Sequence, residues 1–170
     1  MIRDQETLNQ LLDTISRFVR ERLVPNEERV AEEDAIPADI LQEMKDLGLF
    51  GLSIPEEYGG LGLTMEEEVL VAFEIGKTSP AFRSTFGTNN GIGAQGILID
   101  GTEEQKRKYL PKLATGEIIS SFCLTEPDVG SDAASLKTRA VRDGDHYVLN
   151  GTKRFITNGP EANLFTVMAR

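Results

Sequence analysis

One cysteine, one histidine and no tryptophan stand among the 170 residues. With Cys123 alone, no intrachain disulfide framework can form, which leans the reading towards a reducing, cytoplasmic compartment. With His146 alone, a metal site built on several histidines or on a Cys–His cluster is excluded, so no metal is expected. No apolar run approaches the ~20 residues that a membrane-spanning helix needs. Residues 1–5, MIRDQ, carry charge with no apolar stretch behind them, so no secretory signal is expected. Positive charge is also scarce: 18 Lys and Arg face 28 Asp and Glu, for a net charge of -10. That balance opposes non-specific binding to nucleic acid or to an anionic membrane. It leaves room for a local site that takes an anionic cofactor. What is present is ordinary for a soluble globular chain, with 39% hydrophobic and 27% charged residues.

The apolar pattern has two regimes. Asp4 can cap a helix whose apolar face is Leu8, Leu11, Leu12, Ile15, Phe18, Val19 and Leu23, and Pro25 is expected to end it. A charged stretch, Asn26 to Asp34, follows. Pro37 suits the first turn of a second helix, with Ile40, Leu41, Met44 and Leu47 on one side and Gly48 closing it. Residues 48–63, GLFGLSIPEEYGGLGL, read as a loop apolar enough to pack on something. Thr64-Met65-Glu66-Glu67 is a capping box opening a third helix. Ser79-Pro80 opens a fourth, rich in small residues from Gly87 to Gly96. Thr102-Glu103-Glu104-Gln105 is a second capping box, for a helix that ends before Gly116. The period then shortens. Glu117 to Thr125 is an apolar run of strand length. Leu136–Arg142 and His146–Leu149 flank a tight Asp143-Gly144-Asp145 turn as a hairpin. Phe155–Thr157 and Leu164–Ala169 read as further strands. The expected fold is therefore α+β: an all-helical domain over residues 1–116, then an incomplete antiparallel β domain over 117–170. Strand 164–169 is expected to be an unpaired edge, and Arg170 to be a cut or a split.

Most candidate chemistry dissolves on context. Gly91-Ile92-Gly93-Ala94-Gln95-Gly96 matches the dinucleotide pattern G-x-G-x-x-G, but that pattern needs a strand before it, and here a helical pattern runs through it. Glycines that let a helix pack closely are the better account. Cys123 lies inside an apolar strand and reads as an inert small hydrophobe. His146 stands beside a turn and reads as solvated. The acidic clusters Glu66-Glu67-Glu68 and Glu32-Glu33-Asp34 read as surface faces. The informative segment is 122–132, FCLTEPDVGSD. A strand runs into Pro127 and exposes Gly130-Ser131-Asp132, where glycine lets backbone N–H groups approach an anion and Ser131 adds a hydroxyl. On physics alone it is a plain turn first and a phosphate or polar-ligand loop second.

FCLTEPDVGSD resembles the signature at the start of the β domain of acyl-CoA dehydrogenases. Three further segments agree with that family in order and spacing. FGLSIPEEYGGLGL is similar to its loop between the second and third helices, GTEEQKRKYLPKLATGE to the helix leading into the signature, and NGTKRFITNG to the strand along the flavin. The resemblance covers nearly the whole chain. It implies a helical domain, a β domain and a C-terminal four-helix bundle, with FAD in a dimer-dependent cleft. It implies flavin contacts from Phe122, Cys123, Leu124, Thr125, Gly130 and Ser131, with Thr125 bonding the isoalloxazine edge. It implies a second set from Phe155, Ile156 and Thr157, where phenylalanine replaces the tryptophan common in relatives and drops its N–H donor. Ser131 would also lie near the CoA thioester.

The implied reaction is α,β-dehydrogenation of an acyl-CoA to the 2-enoyl-CoA. Hydrogen bonds to the thioester carbonyl would acidify the α-proton. The implied partners are the acyl-CoA substrate, electron-transfer flavoprotein as acceptor, the remaining C-terminal portion or a partner subunit, and further copies in a dimer or tetramer. The family's basic glutamate comes from the C-terminal bundle, so no catalytic residue is expected in this chain, and the chain alone is expected to be inactive. Arg83, in SPAFRSTFG, resembles an arginine that meets the distal carboxylate in relatives handling glutaryl-CoA. A guanidinium fork suits that role, and equally a structural ion pair. A second class of function stays open at this point: a non-catalytic binding or assembly subunit with the same fold. A flavin- or CoA-binding module acting alone is a third.

Overall fold

The computed structural model describes residues 5–170; the Asp4 cap expected for the first helix lies outside them. Seven α-helices are found among the described residues: α1 (Gln5–Phe18), α2 (Glu27–Glu33), α3 (Ala38–Asp46), α4 (Met65–Ile75), α5 (Pro80–Asn90), α6 (Gln95–Asp100) and α7 (Glu103–Ala114). Four strands follow: β1 (Ser120–Cys123), β2 (Arg139–Asp143), β3 (His146–Asn150) and β4 (Leu164–Val167). The chain thus runs from helices into a small β region, as the change of period requires.

Both capping boxes form. Thr64 accepts from the Glu67 N–H while the Glu67 carboxylate takes the Thr64 N–H, and Thr102 and Gln105 do the same for α7. Each box satisfies donors that a helix start otherwise leaves bare. The 48–63 loop buries Leu49, Phe50, Leu52, Ile54, Tyr58 and Leu63. Gly116, at φ +70, ends the helical part where a Cβ would stand 2.8 Å from the Phe50 ring. The main core joins Ile15, Leu23, Ile40, Met44, Phe50, Val71 and Phe82, and a second cluster joins Ile54, Leu110 and Leu113. Helix α5 runs between them, with Phe82, Phe86, Gly87, Thr88, Asn89 and Asn90 all buried.

Several expectations are corrected. Pro25 does not end the first helix: α1 continues through a π turn, Val19–Leu23, and a 3-10 turn, Val24–Asn26, into α2. Pro25 falls in the first turn of the 3-10 segment, where its missing N–H costs little, so most of the charged stretch 26–34 is helical. The fourth helix breaks at Gly91, leaving α5 and α6 as separate pieces. Residues 155–157 form no strand. The β2–β3 hairpin is antiparallel as read, but β1 pairs with β4 in parallel, Ser120 opposite Leu164 through Cys123 opposite Val167. Segment 164–169 is therefore paired along one side, with β1, and stands at the edge of a two-stranded sheet. Met168 N–H continues the ladder to Cys123 O at 3.1 Å, and Arg170 exchanges bonds with Thr138 and Ala140 at 3.0 and 2.9 Å. The 66–68 cluster is not simply a surface face either: Glu67 is buried and Glu68 half-buried.

Candidate active site

Helix α5 is the wall on which the site is built. Arg83, Ser84, Gly87 and Thr88 recur at helical spacing and share one face. Opposite stand Phe122 of β1 with Leu124 and Thr125 just beyond it, and a third side is made by Phe155, Ile156 and Thr157. Together with Gly91 and Ile92 these residues enclose a cavity of about 410 Å³. Phe122 and Leu124 face it because side chains alternate along an extended chain. Cys123 points the other way, is only 5% exposed, and has its thiol pKa pushed up by burial.

The 153–159 segment is held by side chains and one backbone bond rather than by a ladder. Lys153 donates to Leu124 O at 2.9 Å, Arg154 N–H donates to Thr125 O at 2.8 Å, and Ser121 Oγ donates to Thr157 O at 2.6 Å. Asn158 donates from Nδ2 to Ser84 O, Thr85 O and Thr88 Oγ1 at 3.1, 3.2 and 3.0 Å. Phe155 and Asn158 lie at φ 58 and 59, the left-handed region that non-glycine residues seldom adopt. The anchors outweigh that strain and turn Phe155 outward. It is 78% exposed, with the Arg154 guanidinium 4.4 Å over its ring.

A buried ion pair fixes the signature loop against this segment. The Glu126 carboxylate accepts from Lys137 N, Thr138 N, Thr138 Oγ1 and Lys153 Nζ at 2.7, 2.9, 2.6 and 2.9 Å. Its side chain is 4% exposed and that of Lys153 12%. The Thr138 hydroxyl and the Lys153 ammonium lead in holding its pKa down, to about 2. With four donors around one carboxylate the burial penalty is met.

The structure gathers Phe122, Leu124, Thr125, Phe155, Ile156, Thr157 and Arg83 on one cavity. It does not bring Cys123, Gly130 or Ser131 there: Gly130 and Ser131 are exposed on the loop beyond Pro127. A Cβ at Gly130 would meet no atom of the chain within 4 Å. Sequence reasoning missed Glu126, Lys153, Asn158, Ser84, Gly87 and Thr88. Glu126 and Lys153 lie inside the two motifs, and two opposite charges there were the available signal. A second cavity of like volume lies among Val30, Ile36, Leu41, Ile119, Asn158 and Glu161, and it collects none of the site residues expected from the sequence.

Comparison with known proteins gives the family. Residues 5–117 match the family model "Acyl-CoA dehydrogenase, N-terminal domain", and 121–170 match "Acyl-CoA dehydrogenase, middle domain". The chain is 44% identical over 167 residues to the very long-chain specific acyl-CoA dehydrogenase of Macaca fascicularis mitochondria, covering 97% of this chain and 25% of that protein. Glutaryl-CoA dehydrogenase from Mycobacterium smegmatis superposes with a TM-score of 0.90 at 35% identity, over 99% of this chain and 43% of that one. An acyl-CoA dehydrogenase from Bacillus anthracis, solved in complex with FAD, gives 0.88 at 38% identity, over 99% and 30%. The chain thus spans less than half the length of each of these relatives. With both family models matched in order, the chain belongs to the acyl-CoA dehydrogenase family.

Proposed function

We propose that the protein carrying this chain is an FAD-dependent acyl-CoA dehydrogenase that converts an acyl-CoA thioester to the 2-enoyl-CoA. The observation that carries the reading is the single cavity on which both motifs, 122–125 and 155–157, meet Arg83 and Gly87 of α5.

The residues present fit a flavin. A volume of about 410 Å³ lies in the range of small-molecule sites. An exposed aromatic face at Phe155 suits a flat ring system. The Thr125 and Thr157 hydroxyls have no internal hydrogen-bond partner among the described residues, so both are free to bond a ligand edge. Bound there, FAD would supply the hydride acceptor. The chain's own residues do the rest of the work assigned here. Phe122 and Leu124 exclude water from the cleft. Thr125, with its carbonyl spent on Arg154, presents its hydroxyl inward. Lys153 and Glu126 keep the two walls at fixed separation, as pre-organisation requires. Arg83 faces the acyl side. On this reading the base that takes the α-proton stands outside residues 1–170. Acyl-CoA as substrate, electron-transfer flavoprotein as acceptor and a dimer or tetramer of the complete protein are parts of the same proposal.

The test is the absorbance spectrum of the full-length protein and its acyl-CoA-dependent reduction of an artificial acceptor. A flavin spectrum with turnover is expected. A colourless protein that gains no activity with added FAD would overturn the reading.

A further inference from the structure

Arg83 has an unusual seat on the cleft wall. It precedes Gly87 by one turn of α5, and its guanidinium lies on the bare backbone there: a Cβ at position 87 would come within 2.8 Å of Arg83 Cζ. No hydrogen bond or ion pair holds the guanidinium among the described residues. On the side away from the cleft, a small cavity of about 40 Å³ walled by Leu52, Val71 and Phe86 joins Arg83 to Glu68 of α4. Glu68 differs from its neighbours. Glu66 is exposed and Glu67 is spent on the capping box, whereas Glu68 is half-buried over the apolar side of α5. Burial pushes its carboxyl pKa up and Arg83 pulls it back down.

We infer, on the acyl-CoA dehydrogenase reading of the cleft, that Glu68 is a positioning residue that sets acyl-chain specificity: it draws the Arg83 guanidinium to one side of the cleft and offsets its charge, so that the far end of the acyl chain meets a nearly neutral pair. A chain ending in a carboxylate is attracted by Arg83 on the cleft wall and repelled, from farther off, by Glu68 behind it. An uncharged chain senses neither. For unit charges ~10 Å apart in an effective dielectric of ~20, the repulsion alone changes an equilibrium roughly tenfold.

The test compares glutaryl-CoA with butyryl-CoA in the FAD-loaded full-length protein. Glu68→Gln should raise the glutaryl-to-butyryl ratio of kcat/KM about tenfold. Placed in an Arg83→Ala background, the same change should raise the ratio by clearly less than in the parent, because the share that Glu68 exerts through the guanidinium's position is gone and only the direct repulsion stays. A ratio unmoved by Glu68→Gln, or moved equally with and without Arg83, overturns the inference. A second measurement needs no turnover and holds even where Glu68→Gln fails to fold. Followed by carboxyl-selective NMR, Glu68 should titrate at higher pH in Arg83→Ala than in the parent, and an unchanged midpoint overturns the pairing. No acyl-CoA-dependent reduction by the parent is instead a failure of the dehydrogenase reading, and the titration still decides whether the pair exists.

Discussion

Replacing Asn89 with alanine removes a fully buried amide that ties three elements together. Its Nδ2 donates to Leu113 O at 2.9 Å and Ile118 O at 2.8 Å, at the end of α7 and just beyond it. Its Oδ1 accepts from Ser120 N at 2.8 Å and Ser120 Oγ at 2.9 Å, at the start of β1. The four bonds are not equally costly to lose. Leu113 O keeps a backbone donor in Gly116 N at 3.2 Å, and the Ser120 hydroxyl can rotate. Ile118 O and Ser120 N–H lose the partners that Asn89 gives them. Each buried group left unsatisfied costs about 1–3 kcal/mol, and the space left by the amide adds to it. The expected loss is about 3–5 kcal/mol, or roughly 10 °C in Tm for a chain of this size. Because tryptophan is absent, unfolding is best followed by far-UV circular dichroism in a urea series. Asn89→Asp serves as a second probe. It keeps the acceptor but turns a carboxylate oxygen on two carbonyls, so it should be at least as damaging. A loss of under ~1 kcal/mol in Asn89→Ala, the net worth of one solvent-exchangeable hydrogen bond, would refute the account of Asn89 as the tie between α5, α7 and β1.

Three further outcomes are expected. Gly93→Ala should cost about 1–3 kcal/mol by overpacking, since its Cβ would stand 2.7 Å from Ser120 Cβ and 2.8 Å from Thr88 O; an unchanged urea midpoint would contradict it. Glu126, whose pKa falls from the ordinary 4.5 to about 2 on folding, stabilises the fold fully above pH 4.5 and progressively less as pH falls towards 2. Melting curves of the parent should therefore steepen their decline across that window, and Glu126→Gln should be less stable at pH 7 and lack that component; parallel curves for the two would count against it. Thr125→Ala should lower the flavin-to-protein absorbance ratio of the full-length protein more than Ser131→Ala, because Thr125 lines the cavity and Ser131 does not; the reverse order would show that the loop after Pro127 closes on the ligand.

What the sequence determined by itself was local. Thr64 and Thr102 announced their helices because a capping box is a four-residue affair, complete before any other part of the chain arrives. The hairpin around Gly144, at φ +59, was legible for the same reason. The family motifs marked two of the cleft's three sides, 122–125 and 155–157. Tertiary structure alone decided which marked residues meet. Cys123 and Phe122 are adjacent in sequence, yet only Phe122 reaches the cavity, since the pleat turns neighbours to opposite faces. Residues 155–157 look like a strand by composition, but Asn158, Lys153 and Ser121 tie them to elements far away in the chain. The parallel pairing of β1 with β4 is equally invisible to local pattern, because register between strands 44 positions apart, Ser120 opposite Leu164, is set by the helices and loops packed around them. Glu68 and Glu126 show the same limit in charge. A carboxylate reads as solvated surface until the fold supplies Arg83 beside one and four donors around the other, and burial, not residue type, then decides what each can do.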